Sequence, residues 1–354
     1  MNRLWITQVG AVLRLEIRKS FLSRRGWWIY LLALLPFLMF AGHALQVKLD
    51  GERARRMHTE GTTAEKLRQI ENGMKVEDLK RLLPNPADSH RYENRRGEHE
   101  WFEYSDGEHI VIVNSLDGEV DRIIRRGAVC DPAEDNRIFA GVFQFMYLRL
   151  FIFFGCMFVF MNLFRGEILD KSLHFYFLAP LRREVLVAGK FLAGFTATAT
   201  IFGLSTIGQL ALLYGHWTPE ARAQFMTGTM VTDSLAYVGV TALACLGYGA
   251  VFLMAGMLIR NPLIPAAIIL LWESINGILP ATLRHISVIY YLKSLCPVDV
   301  PMGQNTPPPL ALLASNVDPA GPVVAIGGLL LLASVVLAHS MYRARKMEIS
   351  YGSD

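Results

Sequence analysis

The side chains able to do chemistry in this chain are few and widely spaced. Its nine histidines, from His43 to His339, are scattered, and no two stand at the i, i+4 spacing that puts two imidazoles on one helix face for a metal ion. Cys130, Cys156, Cys245 and Cys296 include no close pair, which excludes a disulfide-dense scaffold and a cysteine zinc cluster. A P-loop needs Gly-x4-Gly-Lys-Ser/Thr so that backbone amides can surround phosphates. The candidate Gly189-Lys190 has Glu184 at the first glycine position and Phe191 after the lysine. The sequence therefore assigns no catalytic, cofactor-binding or metal-ligating residue, and the chain is expected not to be an enzyme. Two charged residues stand out for the opposite reason. Arg149 and Glu273 lie inside apolar runs, where a charge costs on the order of 2.5 to 3.5 kcal/mol on insertion scales. They are candidates for a polar pathway, against the plainer reading that Arg149 snorkels and Glu273 hydrogen-bonds inside a helix bundle.

The elements that must position such residues follow from composition. Of 354 residues, 52% are hydrophobic and 19% charged, and the net charge is only +4. Mean hydropathy is +0.31. This excludes a disordered or ordinary soluble chain, and a near-neutral total argues against a nucleic-acid partner. A bilayer core of about 30 Å needs roughly 20 apolar residues. The run 27–46 meets that length; it is too long, and its leader too long, for a cleaved signal peptide. Further runs at about 139–164, 185–214, 231–259, 262–280 and 322–341 bring the expected spans to six. The expected fold is an all-α polytopic membrane protein of six transmembrane helices with an inserted small α+β (ααβββ) extracytoplasmic domain.

Orientation follows from lysine and arginine near the span ends. With both termini cytoplasmic, the inside segments carry 15 basic and 6 acidic residues, a net of +9, while residues 47–138 carry 16 basic and 20 acidic, a net of −4. Residues 1–26 hold Trp5, Val9, Leu13, Ile17 and Phe21 at four-residue spacing, with Arg14, Arg18 and Arg25 on the other side. That pattern fits an amphipathic helix lying in the cytoplasmic headgroup layer against membrane lipid. Glu16 interrupts the stripe, and a cytoplasmic extension of the first span is the alternative. Cys130 and Cys296 both fall outside on this topology, where an oxidising space would let them join, although their sequence separation gives a bond no geometric support.

The hydrophilic stretch 47–138 is long enough to fold alone. Thr62-Thr63-Ala64-Glu65 has capping-box spacing and starts a short helix to about Ile70. Met74, Leu79, Leu82 and Leu83 mark a second helix ending near Pro84 and Pro86. After a polar loop come strands at Glu100–Tyr104, His109–Asn114 and Glu119–Ile124, with Asp106-Gly107 and Asp117-Gly118 as hairpin turns. This order, with Ile70-Glu71-Asn72-Gly73-Met74 and Trp101-Phe102-Glu103-Tyr104, resembles the BamE/OmlA (SmpA) lipoprotein domain over about residues 62–126. Pro84 stands where that family has glycine, and no lipobox cysteine precedes it. The resemblance implies the fold and an extracytoplasmic address, and not the family's role in outer-membrane assembly.

Between the second and third runs, residues 165–184 leave the apolar phase with charges, form an amphipathic aromatic turn or two, and break at Pro180 before Arg182 and Arg183. A short helix held between two spans passes force to both. Glu167, Ala179-Pro180-Leu181-Arg182 and Gly189-Lys190 resemble the first cytoplasmic loop of the membrane subunit of type-2 (ABC-2) ABC exporters. That resemblance implies a permease subunit in the cell inner membrane, with no cofactor of its own. Its partners would be a separate ABC ATPase chain that binds ATP and a second permease subunit, the same or different. It further implies ATPase coupling through Glu167, Leu173, His174, Phe175, Phe177, Pro180 and Arg182. The insert would contact the exported substrate or a periplasmic partner. The rival function is a non-transporting membrane scaffold or sensor whose outer domain binds a ligand.

Packing residues complete the reading. Thr241, Cys245 and Gly249 in the fourth run, and Gly189, Ala193 and Ala197 in the third, line faces on which helices can approach closely. The phenylalanines of the second run, Phe143 to Phe160, are expected to face lipid or a subunit contact.

Overall fold

The computed structural model describes residues 2–22, 27–59, 61–94, 97–127, 132–169, 182–226, 228–259, 261–300 and 319–346. The chain is mostly helical, and among the described residues five helices are long and apolar enough to cross a membrane. It divides into two compact units. One comprises Met1–Leu38, Asn136–Ala211 and Phe225–Asp354, and the other Met39–Asp135 and Leu212–Gln224.

The second unit contains residues 47–135 of the expected insert, with eight residues before them and a segment that follows the third run. Helices α3 (Ala64–Arg68) and α4 (Val76–Leu82) precede an antiparallel meander of β1 (Asp88–Asn94), β2 (Gly97–Ser105), β3 (His109–Leu116) and β4 (Glu119–Gly127). The sheet therefore has four strands rather than three. β1 reads Asp-Ser-His-Arg-Tyr-Glu-Asn and has no apolar alternation, because it is an edge strand whose pairing runs through its backbone, from Asp88 opposite Glu103 to Asn94 opposite Gly97. The hairpin turns fall where expected. Gly107 has φ +92°, and Asp117 and Gly118 have φ +49° and +85°, the double positive φ that a two-residue type I′ turn demands. The capping box does not form. The helix start is Thr63, with no side-chain cap, and the Thr62 hydroxyl pairs instead with that of Thr59 at 2.9 Å.

Strand alternation gives the sheet two apolar faces. Phe102, Tyr104, Val111, Val113 and Val120 pack against Leu67, Ile70, Val76, Leu79 and Leu83 of the α3–α4 layer. Each such buried side chain contributes about 1.5 to 3 kcal/mol. Ile110 and Ile112 face Ala54 near the end of α2 (Trp27–Arg56). There Arg53 donates to the buried Glu103 carboxylate at 2.8 Å, and the Ser105 hydroxyl donates to the Ala54 carbonyl at 2.8 Å. The turn before α4 docks on β4: the Gly73 amide donates to Val120 O and the Val120 amide to Met74 O.

In the first unit, α1 (Asn2–Leu22) and the start of α2 are followed by α5 (Pro132–Val142), a π-helical stretch Phe143–Ile152 and α6 (Phe153–Leu169) as one continuous apolar helix. Then come α7 (Arg183–Gly215), α8 (Pro219–Met226) and α9 (Met230–Leu258). The apolar run 262–280 is not a sixth long helix. It forms α10 (Leu263–Ser274), only about 18 Å long at 1.5 Å per residue, then a 3-10 turn Ile275–Ile278, α11 (Ala281–Arg284) and α12 (Val288–Ser294). Asn276-Gly277 and Pro280 break it. The Arg284 guanidinium holds the break by donating to the carbonyls of Leu279 at 2.7 Å and Gly277 at 3.3 Å. The last long helix is α13 (Pro322–Arg345).

Small residues set the closest approach, as expected. Thr241, Cys245 and Gly249 are buried on α9, and the face continues to Gly256, where an added Cβ would lie 2.8 Å from the Met161 backbone of α6. The phenylalanines meet their expectation only in part, because Phe145, Phe154 and Phe158 are partly exposed while four others are buried inside the protein. Phe143, Phe153 and Phe160 are fully buried and Phe151 nearly so; Phe143 packs on Tyr237, Phe153 on Tyr248 and Phe252, and Phe160 on Phe191. In the π stretch the buried pairs 143–144, 147–148 and 151–152 recur every four residues, longer than the 3.6-residue α turn, and the widened helix keeps them all inside.

Candidate functional sites

Three polar clusters are built into these elements. The first lies where α1 meets the start of α7. The side of α1 buried inside the protein is Val9, Val12 and Glu16, while Trp5 is 40% exposed. Val12 sits over Gly189, where an added Cβ would come within 2.7 Å of it. Glu16, a break in the apolar pattern of α1, accepts from Lys190 Nζ at 2.9 Å. Lys190 also donates to Leu163 O at 2.9 Å, and its ammonium lies 5.5 Å from the Phe164 ring centre. At the same end Arg183 donates to Arg345 O at 3.2 Å, and Arg345 pairs with Glu184. The end of α6, the start of α7, α1 and the end of α13 are thus fastened together around the stems of the 165–184 segment.

Of the coupling residues expected in that segment, Glu167 lies on α6 and Arg182 is exposed just before α7. Leu173, His174, Phe175, Phe177 and Pro180 lie outside the described residues.

The second cluster surrounds Glu273. Its buried carboxylate accepts the Ser287 hydroxyl at 2.6 Å, the Val288 amide at 3.0 Å and the Ile289 amide at 2.9 Å. Those amides open α12 and would otherwise have no intrahelical partner. Glu273 therefore ties α10 to α12 across the broken run. Arg149 is buried within the π stretch. Cys296 is a free thiol donating to Leu292 O at 3.4 Å, and Cys130 lies outside the described residues.

The third cluster, in the second unit, is one that spacing alone did not find. His43 on α2, Asp135 in the first turn of α5 and His216 just after α7 converge, with one donor atom from each within 4.8 Å of the others. His216 Nε2 lies 2.9 Å from Asp135 Oδ2, and His43 Nε2 lies 3.4 Å from Oδ1. The Trp217 indole N–H donates to Oδ2 at 3.0 Å. His216 Nδ1 is 2.9 Å from Leu212 O, so that nitrogen carries its proton and Nε2 faces the carboxylate. Burial alone would lower the His216 pKa, but the hydrogen bonds to Asp135 and Leu212 and the Asp135 charge outweigh it and raise it above the ordinary histidine value. The sequence expectation of no metal-ligating residue considered only neighbours along one helix, whereas these three side chains come from separate elements.

No protein-family model, curated protein or solved structure matches this chain.

Proposed function

We propose that the chain is the membrane-spanning subunit of an ATP-driven type-2 ABC exporter. A separate ABC ATPase chain and a second permease subunit complete the assembly. It lies in the cell inner membrane with both termini cytoplasmic and the α+β unit outside. The observation that carries this reading is the fastening around the 165–184 segment. The buried Glu16–Lys190 pair, the Lys190 bond to Leu163 O and the Arg183 bond to Arg345 O link α1, α6, α7 and α13 at the stems of that segment. A solvated connector needs no such joint. A lever that receives force from an ATPase does.

The same contacts support six crossings. α13 ends beside the start of α7, and α9 runs parallel to α6, with Cys245 beside Cys156 and Gly256 beside Met161. α9 and α13 therefore end at one end of the bundle, which requires the chain to cross back between them. α12 takes up that return. Tyr291 meets Gly328, and Ser294 accepts the amide of Ala320 just before α13. The sixth crossing is thus discontinuous, a form tolerated in membranes where the irregular backbone is buried in protein.

Affinity purification of the full-length chain from its native membrane tests the reading. A chain with a P-loop should co-purify, and its recovery should fall at least tenfold with Glu167→Arg or Phe175→Glu. A preparation without such an ATPase, or one indifferent to both substitutions, would leave the scaffold function in its place.

A further inference from the structure

We propose that His43, Asp135 and His216 form a binding site for a divalent transition-metal ion of the zinc class. Two imidazole nitrogens approach the two different oxygens of one carboxylate, at 2.9 and 3.4 Å. Four-coordinate zinc with ligand bonds of about 2.0 to 2.1 Å spaces its ligand atoms roughly 3.3 Å apart, close to both distances. A histidine–aspartate ion pair accounts for His216 alone. It gives no reason for a second imidazole, from a different helix, to present its nitrogen to the other oxygen.

Two of the three donors are also held from behind. Leu212 O fixes the ring of His216 through Nδ1, and the Trp217 N–H orients Asp135. Partners of this kind set the tautomer and direction of metal-ligating groups. As ligands the donors would be two neutral imidazoles and one carboxylate, with the proton on His216 Nε2 released as the ion binds. That set favours zinc and its neighbours over calcium and magnesium, which take oxygen donors. With three protein ligands, a fourth position is left for water or an incoming ligand. His43, 33% exposed, gives the ion a way in, while His216 and Asp135 are each 8% exposed.

The test uses the full-length chain in detergent, stripped with chelator and freed of any polyhistidine tag. Zinc uptake is measured by competition with a chromophoric chelator, and cobalt(II) is added separately to report coordination. The wild-type chain should take up one tightly held zinc and give the intense visible bands of four-coordinate cobalt. His43→Gln should weaken zinc binding at least a hundredfold while leaving the melting temperature of the metal-free protein unchanged, since its 3.4 Å contact is the longest of the set. Trp217→Phe should weaken it about tenfold, as loss of an outer partner does. His285→Gln should have no effect. Wild-type protein that binds no zinc, or binds it equally well with His43→Gln, overturns the proposal and leaves an ion pair between His216 and Asp135.

Discussion

Glu16 and Lys190 lie 174 positions apart and meet in an ion pair of 2.9 Å, their side chains 3% and 0% exposed. A buried pair of this kind is costly to break from one side, because the remaining charge keeps its desolvation penalty. Lys190→Met should therefore destabilise the folded chain by about 3 to 5 kcal/mol. The double variant Glu16→Met, Lys190→Met should recover most of that loss. Thermal unfolding of both variants in detergent decides it, and a double variant no better than the single one would contradict a simple pair.

Three donors converge on the two oxygens of Glu273. Glu273→Gln turns one of those oxygens into an amide that donates toward other donors. The expected loss is about 2 kcal/mol or more, because hydrogen bonds to a charged acceptor are the strong ones and an unmet buried donor adds its own cost. Under the exporter reading, transport falls while the ATPase still co-purifies. An unchanged melting temperature would show that the link between α10 and α12 does not depend on the charge.

Gly256 allows α9 to touch the backbone of α6. Gly256→Ala places a Cβ 2.8 Å from Met161 Cα, a contact that no side-chain rotation relieves, and should cost about 1 to 3 kcal/mol. Gly203, with nothing within 4 Å of its added Cβ, is the control: Gly203→Ala should leave the melting temperature unchanged or raise it.

Asp106 links stability to pH in the β2–β3 turn. Burial would raise its pKa, but hydrogen bonds from the Glu108 and His109 amides and from the His109 ring outweigh it, and the carboxyl titrates below its ordinary value. For a lowered carboxyl, the stabilisation is fully present above the unfolded pKa of about 3.9 and is lost as pH falls through the lower folded value. Asp106→Ala should lower the melting temperature at neutral pH by a few degrees. The gap to wild type should close below that range, and a gap independent of pH would refute the link.

Much of the fold was legible in the sequence, and the exceptions have physical causes. Run length and hydropathy found five long helices, but hydropathy does not register that Asn276-Gly277 and Pro280 interrupt the run 262–280. Strand β1 escaped because an edge strand needs no apolar alternation. Glu16 looked like a flaw in an amphipathic stripe because its partner, Lys190, lies far along the chain. The π-helical stretch left no trace in the sequence, because Phe145, Met146 and Leu150 between its buried pairs are apolar too. The third cluster left a faint trace. His43 sits near the end of one apolar run, Asp135 just before the next and His216 just after a third, all at ends that the lysine and arginine bias assigns to one side. Spacing within a single helix could not reveal that convergence.

The contact of Gly256 with Met161 has a mechanical consequence. At that point the main chain itself sets the spacing, and the rings of Phe153, Tyr248 and Phe252 fill the contact beside it, so α6 and α9 form one tightly packed pair. A change of shape in this bundle has little slack to draw on there. It falls instead to residues 261–300, where short rods are joined by turns and the Glu273 carboxylate and the Arg284 guanidinium serve as the pins.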